Sequence, residues 1–195
     1  MAGVKESYID SDLFRVLKNL KEDGFRYNNS KLLDVKFHEP ADSGEADIVI
    51  IGEKDNKQFR IVIEAKRKEA KYSDKLDPYS VSVIGQALGY ASALDSQFIA
   101  TTNGDILVLF DALKKGKTLE RQIGEAYKVK YTEEFAAQIL KDVINYLSGT
   151  LKSLPLSNAF VERLKYFHEL ITPLVLKSLK NILDNTKFQG KYKRG

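Results

Sequence analysis

Residues 46–66 read ADIVIIGEKDNKQFRIVIEAK, and this stretch decides the fold of the chain. It contains two runs rich in β-branched residues, Ala46 to Ile51 and Phe59 to Glu64. Nearly continuous apolar runs of this length are typical of strands that are covered on both faces, at the centre of a sheet. The polar segment GEKDNKQ between the two runs offers a short turn. The stretch therefore predicts two central strands that pair as a hairpin.

The residues before this stretch predict one helix and one strand. Apolar residues recur at helical spacing from Tyr8 to Glu22, and Gly24 follows as a C-terminal stop. The segment Leu32 to Phe37 has strand character. The chain thus begins with an amphipathic helix followed by three strands.

The residues after the stretch predict a second helix and further strands. VSVIGQALGYASAL, residues 81–94, carries a broad apolar stripe that is typical of a helix lying on a sheet. FIATT and ILVLF then flank Asn103-Gly104, a strong turn dipeptide, and AYKVKY could add one more strand. The order of helix, three strands, helix and two or three strands predicts a three-layer α/β domain over about residues 5 to 131.

The C-terminal third of the sequence predicts helices alone. A helix capped by Thr132 and ended by Gly149 is followed by a second one, which Ser157 can cap and Pro173 can bend. We therefore predict a core over residues 1–131, a helical extension over 132–186 and a basic tail over 187–195.

Composition excludes several classes of function. The chain has no cysteine and only two histidines, so thiolate zinc sites and polyhistidine centres are not expected. Any bound metal should be held by oxygen ligands, which indicates Mg²⁺ or Mn²⁺. No long apolar run or signal peptide is visible, and we expect a cytoplasmic protein without membrane contact. The last nine residues carry four basic side chains and no acid, and they account for the whole net charge of +4.

Three residues of the hairpin stretch form the candidate chemical centre. Glu64 and Lys66 are two residues apart on one strand, so their side chains point to the same face. A hairpin register can bring Asp47 alongside them. Two carboxylates can hold a hard divalent cation, and the cation stabilises charge on a phosphoryl oxygen and acidifies a bound water. The lysine can position that water or neutralise the developing charge.

Four segments carry a resemblance to a known family. GEADIVI, IVIEAKR, QALGYASAL and FIATTNGDILVLF, all within residues 44–110, resemble the PD-(D/E)XK nucleases. Within that superfamily they are most similar to the N-terminal nuclease domain of type I restriction enzyme motor (R) subunits. The resemblance implies a restriction-endonuclease-like αβββαβ core. It also implies that Asp47, Glu64 and the Ala65 carbonyl are metal ligands and that Lys66 is the catalytic lysine.

The resemblance extends to the second helix and, less clearly, to the first. Gln86 and Tyr90 match a glutamine-xxx-tyrosine pattern of the restriction-type branch, and four residues apart they share a helix face from which they could reach the scissile phosphate or a base. The family's first helix often carries an acid near the centre, and here Asp10 and Glu6 are both candidates. Ala46 stands where the superfamily's name has proline. His38 and His168 have no matching partners in the sequence and are interpreted as structural.

Arg67 and Lys68 directly follow the centre, where a DNA backbone would have to pass. With Tyr90 they are the candidate nucleic-acid-binding residues, and phosphate contacts from Arg67 and Lys68 would give sequence-independent affinity. The sequence therefore indicates a Mg²⁺-dependent DNA endonuclease, or the nuclease domain of a restriction-modification enzyme.

Two further expectations concern partners. No GxxxxGK[ST] motif is present, so the chain by itself is not expected to be a translocating motor. Other restriction-modification domains or subunits are expected partners besides DNA, and cleavage of both strands favours a homodimer. The alternative is a non-catalytic DNA-binding or docking module of a restriction or defence assembly.

Overall fold

The computed structural model describes residues 7–42, 44–66 and 77–191. Within these ranges the chain is a mixed α/β protein whose strands form one seven-stranded sheet in sequence order, β1 to β7. The elements are α1 (Ser7–Glu22), β1 (Arg26–Tyr27), β2 (Ser30–Ala41), β3 (Gly44–Lys54), β4 (Lys57–Ala65), α2 (Val81–Ala93), β5 (Phe98–Thr102), β6 (Ile106–Asp111), a 3₁₀ turn (Thr118–Arg121), β7 (Tyr127–Lys128), α3 (Glu133–Leu147) and α4 (Leu156–Lys191).

The predicted central hairpin is confirmed, and it is longer than the sequence indicated. β3 and β4 pair antiparallel from Ile48↔Ile63 to Lys54↔Lys57, so the turn consists of Asp55 and Asn56 alone. Both turn residues have positive φ, +48° and +62°. This is the backbone of the two-residue turns whose twist suits a hairpin, and asparagine and aspartate tolerate it well.

The parallel pairing of β4 with β5 makes α2 a crossover helix. The other strand pairs of the sheet are antiparallel. Ser80 caps α2 by accepting a hydrogen bond from the Val83 N–H. The predicted β5–β6 turn at Asn103-Gly104 is confirmed, with Gly104 at φ +87°. Since α2 contacts β4 and β5, it covers the strands that lie at the middle of the sheet.

One large apolar cluster joins α1 and α3 to alternate residues of the strands. It contains Leu13 and Leu17 of α1, Ile48 and Ile61 of the central hairpin, and Ile139 of α3. Strand residues of the opposite parity, such as Val49, Val62 and Ile99, are also buried. Burial of both faces of the central strands agrees with the predicted three-layer arrangement, which stays a prediction.

The chain divides into two compact units, residues 1–159 and residues 160–195. The first unit includes α3, which the sequence assigned to the helical extension, and the predicted boundary at residue 131 stays a prediction. The second unit contains most of α4, including Pro173. Ser157 was expected to cap this helix, but α4 begins at Leu156, so Ser157 lies inside it. Among the described residues, no helix has both the length and the apolar character that a membrane span requires.

A pair of glycines offers a test of the hairpin packing. Gly52 faces Phe59 across β3 and β4, and a Cβ at Gly52 would lie 2.2 Å from the Phe59 ring. We expect Gly52→Ala to lower the free energy of unfolding by about 1–3 kcal/mol, because the buried ring must leave its position. Urea unfolding measures this change.

Gly85 on α2 is the matched control, since a Cβ there meets no atom within 4 Å. Gly85→Ala should stabilise the protein, by up to about 1 kcal/mol, through helix propensity. Equal urea midpoints for Gly52→Ala and the wild type would contradict the close packing of Gly52 on Phe59.

Candidate active site

The hairpin register places Asp47 next to Glu64. The last paired residues of the hairpin are Ile48 and Ile63, and one further step along both strands sets Asp47 opposite Glu64. Opposed residues of antiparallel strands project to the same face of a sheet. The Asp47 carboxylate also accepts a hydrogen bond from the Ala65 N–H, with 2.7 Å between Oδ2 and N. The two carboxylates therefore project to the same face of the sheet, at the end of β3 and β4 that lies away from the turn.

Lys66 completes this group through an ion pair. Its Nζ contacts Oε1 of Glu64, whose residue is 1% exposed, while the lysine side chain is 14% exposed. The Lys66 backbone N–H donates to the Thr102 carbonyl oxygen at 2.8 Å, so the residue directly after β4 is still tied to β5. A buried carboxylate is costly unless a charge of opposite sign compensates it. Lys66 supplies that charge and is held close to both acids.

The carboxyl group of Asp47 is less acidic than that of an ordinary aspartate. Burial raises the pKa of its carboxyl from the ordinary value of 3.8 to about 6, and the negative charge of Asp10 adds to the rise. The Ala65 N–H and the charges of Lys66 and His38 act in the opposite direction and are outweighed. A nearby cation would lower the pKa of this carboxyl group again, because a positive charge favours the ionised form.

The first helix contributes Asp10 to the site. Asp10 lies in the first turn of α1, is 3% exposed, and has a carboxylate oxygen close to ligand atoms of Asp47 and His38. The three ligand atoms all lie within 4.8 Å of one another. Glu6, the other candidate acid of this helix, lies outside the described residues. The structure thus brings Asp10 to Asp47.

His38 is the site residue that sequence reasoning missed. The interpretation that it has no partners is wrong: its Nδ1 is 2.6 Å from Oε1 of Glu45, and its Nε2 is 3.7 Å from Oδ2 of Asp10. The β2–β3 register, with Phe37↔Ile48 and Glu39↔Ala46, sets His38 across from Asp47. Its φ of +54° is rare for a strand residue, although histidine is among the residues enriched there. Extending the predicted strand beyond Phe37 would have revealed this placement.

Gln86 and Tyr90 lie together on α2. The Gln86 Nε2 donates to the Tyr90 hydroxyl at 2.9 Å, Gln86 is exposed and Tyr90 is buried. The tyrosine hydroxyl lies at the start of β3, since a Cβ on Gly44 would be only 2.8 Å from it. Gly44 is three residues before Asp47, so this pair lies near the same end of the hairpin. The predicted DNA contacts Arg67 and Lys68 lie outside the described residues.

The donor set of the site suits a divalent cation. Asp10, His38 and Asp47 are gathered as a potential ligand group, and Glu64 is the strand neighbour of Asp47. The sequence predicted oxygen ligands alone, whereas the described residues add an imidazole nitrogen. Ala65 is buried between Glu64 and Lys66, and its N–H is already used by Asp47.

Comparisons with known proteins do not define a family for this chain. No family model matches the sequence, and no curated protein matches it. Among solved structures, the chain is similar to the type IIG restriction endonuclease BpuSI, with a TM-score of 0.49 and 16% sequence identity. The similarity covers 76% of this chain and 17% of that chain, so this chain spans a small part of the length of BpuSI. Because one fold can serve many functions, we argue function from the residues of the site.

Proposed function

We propose that this chain is a divalent-metal-dependent DNA endonuclease of the PD-(D/E)XK type, or the nuclease part of a larger restriction-modification enzyme. One observation carries the proposal: Asp47, Glu64 and Lys66 converge at one end of the central hairpin. Two neighbouring carboxylates can hold a divalent cation for phosphodiester hydrolysis, and an amine beside them can offset the charge that develops on the phosphate. The three-layer αβββαβ core and the extension over 132–186 belong to the same proposal.

Each residue of the centre has a distinct role in the proposed reaction. Asp47 and Glu64, with the Ala65 carbonyl, would hold the cation, and Asp10 stands close enough to Asp47 to join them. When bound, a divalent cation supplies Lewis acidity toward a phosphoryl oxygen and lowers the pKa of a water. Lys66 donates hydrogen bonds to the attacking water or to the phosphate, and its charge offsets the charge that develops there.

Residues around the centre would position DNA. Arg67 and Lys68 are proposed to contact phosphates without regard to sequence, and Gln86 and Tyr90 to contact the scissile phosphate or an adjacent base. The proposed partners are DNA, further restriction-modification domains or subunits, and a second copy of the chain for cutting both strands. We propose that the protein acts in the cytoplasm.

Plasmid cleavage tests the proposed function. Supercoiled plasmid incubated with the chain and Mg²⁺ or Mn²⁺ should yield nicked and linear products, and EDTA should abolish both. Glu64→Gln should reduce product formation at least a hundredfold, because it removes a charge at the proposed cation site while preserving side-chain size. Product that is equal for the wild type and Glu64→Gln would mean that another nuclease made it, and the proposal would be wrong.

The ion pair between Lys66 and Glu64 favours one alternative, a non-catalytic DNA-binding or docking module. In that case the lysine compensates a buried acid and performs no chemistry. Calorimetry separates the two functions. A nuclease centre should bind divalent metal and lose that binding in Asp47→Asn, whereas a docking module should show salt-sensitive DNA binding that is indifferent to metal and to this substitution.

A further inference from the structure

We propose that His38 is a nitrogen ligand of the metal and makes the centre selective for a first-row transition metal, such as Mn²⁺, over Mg²⁺. This inference rests on the proposed function, since it concerns the same centre. It starts from three side chains on three different elements: Asp10 on α1, His38 on β2 and Asp47 on β3. Their ligand atoms converge within 4.8 Å.

The separation of His38 from Asp10 suits two ligands of one ion. Nε2 of His38 and Oδ2 of Asp10 are 3.7 Å apart, which is longer than a hydrogen bond between these atom types. Two ligand atoms that each lie about 2.1 Å from one cation are separated by at most about 4.2 Å. The 3.7 Å between His38 and Asp10 lies within that reach, and the other separations of the group, all within 4.8 Å, would need side-chain shifts of at most about 0.6 Å to hold one cation.

Glu45 orients the imidazole for this role. It lies 2.6 Å from Nδ1 of His38, a distance at which Nδ1–H donates to the carboxylate. The lone pair of a neutral ring is then on Nε2, the atom on the side of Asp10. Metal-bound histidines commonly donate their other ring N–H to a carboxylate, which sets the tautomer and raises the basicity of the ligand nitrogen. Glu45 lies two residues before Asp47 on β3, so one strand carries both a ligand and the group that orients His38.

The backbone at His38 supports a special placement of its ring. A left-handed φ is strained for a non-glycine residue within a strand, and it persists where the surrounding structure imposes it. The site is also accessible, because the His38 side chain is 41% exposed. The imidazole ring is therefore not sealed off from solvent.

The chemistry of the donors gives the selectivity. Mg²⁺ prefers oxygen ligands and loses its water reluctantly, whereas divalent transition metals accept imidazole. One nitrogen among the oxygen donors therefore favours the transition metal. The prediction from composition, an all-oxygen site, changes to a mixed site of carboxylates and one imidazole.

Pulsed electron paramagnetic resonance of bound Mn²⁺ tests this inference without relying on activity. The untagged full chain contains two histidines, so His168→Asn leaves His38 as its only imidazole. Mn²⁺ bound to the wild type and to His168→Asn should show coupling to an imidazole nitrogen, and Mn²⁺ bound to His38→Asn should not. Asparagine is chosen because it tolerates left-handed φ.

Calorimetric titration of the same proteins with Mn²⁺ and Mg²⁺ measures the selectivity of the site between the two ions. His38→Asn should lower the ratio of Mn²⁺ to Mg²⁺ affinity by about tenfold or more, and Glu45→Ala should weaken Mn²⁺ binding by about 10- to 100-fold. His168→Asn should change neither. If His38→Asn does not fold, the nitrogen coupling in His168→Asn and the Glu45→Ala titration decide the question.

The outcomes separate this inference from the nuclease function. Bound Mn²⁺ without nitrogen coupling in the wild type overturns the role of His38, and plasmid cleavage by the same preparation would leave the nuclease standing. Nitrogen coupling that His38→Asn abolishes, in a protein that cuts no DNA, supports the metal site and refutes the nuclease. Failure of the wild type to bind Mn²⁺ at all overturns the inference.

Discussion

Lys66→Ala is expected to reduce metal-dependent plasmid cleavage by on the order of a thousandfold, which corresponds to about 4 kcal/mol of transition-state stabilisation. The Lys66 amine is paired with Glu64 and lies near Asp47. It brings a positive charge to these two carboxylates. Its removal leaves the carboxylates in place, so metal binding should persist while the chemical step fails. Single-turnover cleavage rates at saturating metal measure the loss.

Two further variants make this prediction specific. Lys66→Met keeps the aliphatic stem and should be as inactive as the alanine variant. A melting temperature near that of the wild type would show that this variant is folded. Lys57 is the control, because it is exposed at the opposite end of the same strand. Lys57→Ala should cleave at the rate of the wild type. Cleavage by Lys66→Met within threefold of the wild type would rule out a catalytic lysine.

Asp47→Asn is expected to abolish both cleavage and stabilisation by metal. The amide oxygen of the new side chain can still accept the hydrogen bond from the Ala65 N–H, so the substitution removes the charge and leaves the local geometry. A ligand that binds only the folded state raises the melting temperature. Mn²⁺ should therefore raise the melting temperature of the wild type and leave that of Asp47→Asn unchanged. An equal rise for both proteins would show that the ion binds elsewhere.

The same substitution has the opposite effect on the metal-free protein. The pKa of Asp47 is about 6 in the folded chain and near 3.8 in the unfolded chain, so the folded state binds more protons between these values. The free energy of unfolding of the wild type should then fall as pH rises from about 4 to about 6. At pH 7 in EDTA, Asp47→Asn should be more stable than the wild type by on the order of 1–3 kcal/mol. A difference of the other sign would mean that the ionised carboxylate stabilises the fold.

Local runs of apolar residues and turn dipeptides made the central strands of the fold predictable. The β-branched runs around Ile48 and Ile61, and the turn dipeptide Asn103-Gly104, are local signals, and the structure has strands and turns at these positions. The proximity of Asp47 and Glu64 was predictable for the same reason, since a short hairpin leaves few registers. The apolar stripe of α3 was also visible, but its packing with α1 depends on contacts between residues far apart in sequence.

His38 shows what local patterns do not contain. Its position depends on a strand that continues past Phe37 to Ala41 and on a left-handed backbone conformation, and neither feature follows from side-chain periodicity. Its partners Asp10 and Asp47 lie on other elements. A lone histidine in a sequence is therefore a weak signal until the register of the neighbouring strands is known. Asp10 was a candidate through the family resemblance, in which the first helix often carries an acid near the centre, and Glu6 was the alternative.

In the described residues β4 is the fourth strand of the seven-stranded sheet, and it is hydrogen-bonded to β3 on one side and β5 on the other. Amide groups in such a position exchange with solvent only when large parts of a domain open together, at a free energy close to that of complete unfolding. Glu64, which also pairs with Thr101 of β5, thus lies on a strand whose opening involves much of the sheet. We therefore expect control of the candidate centre to come from molecules that bind near it, and not from local opening of β4.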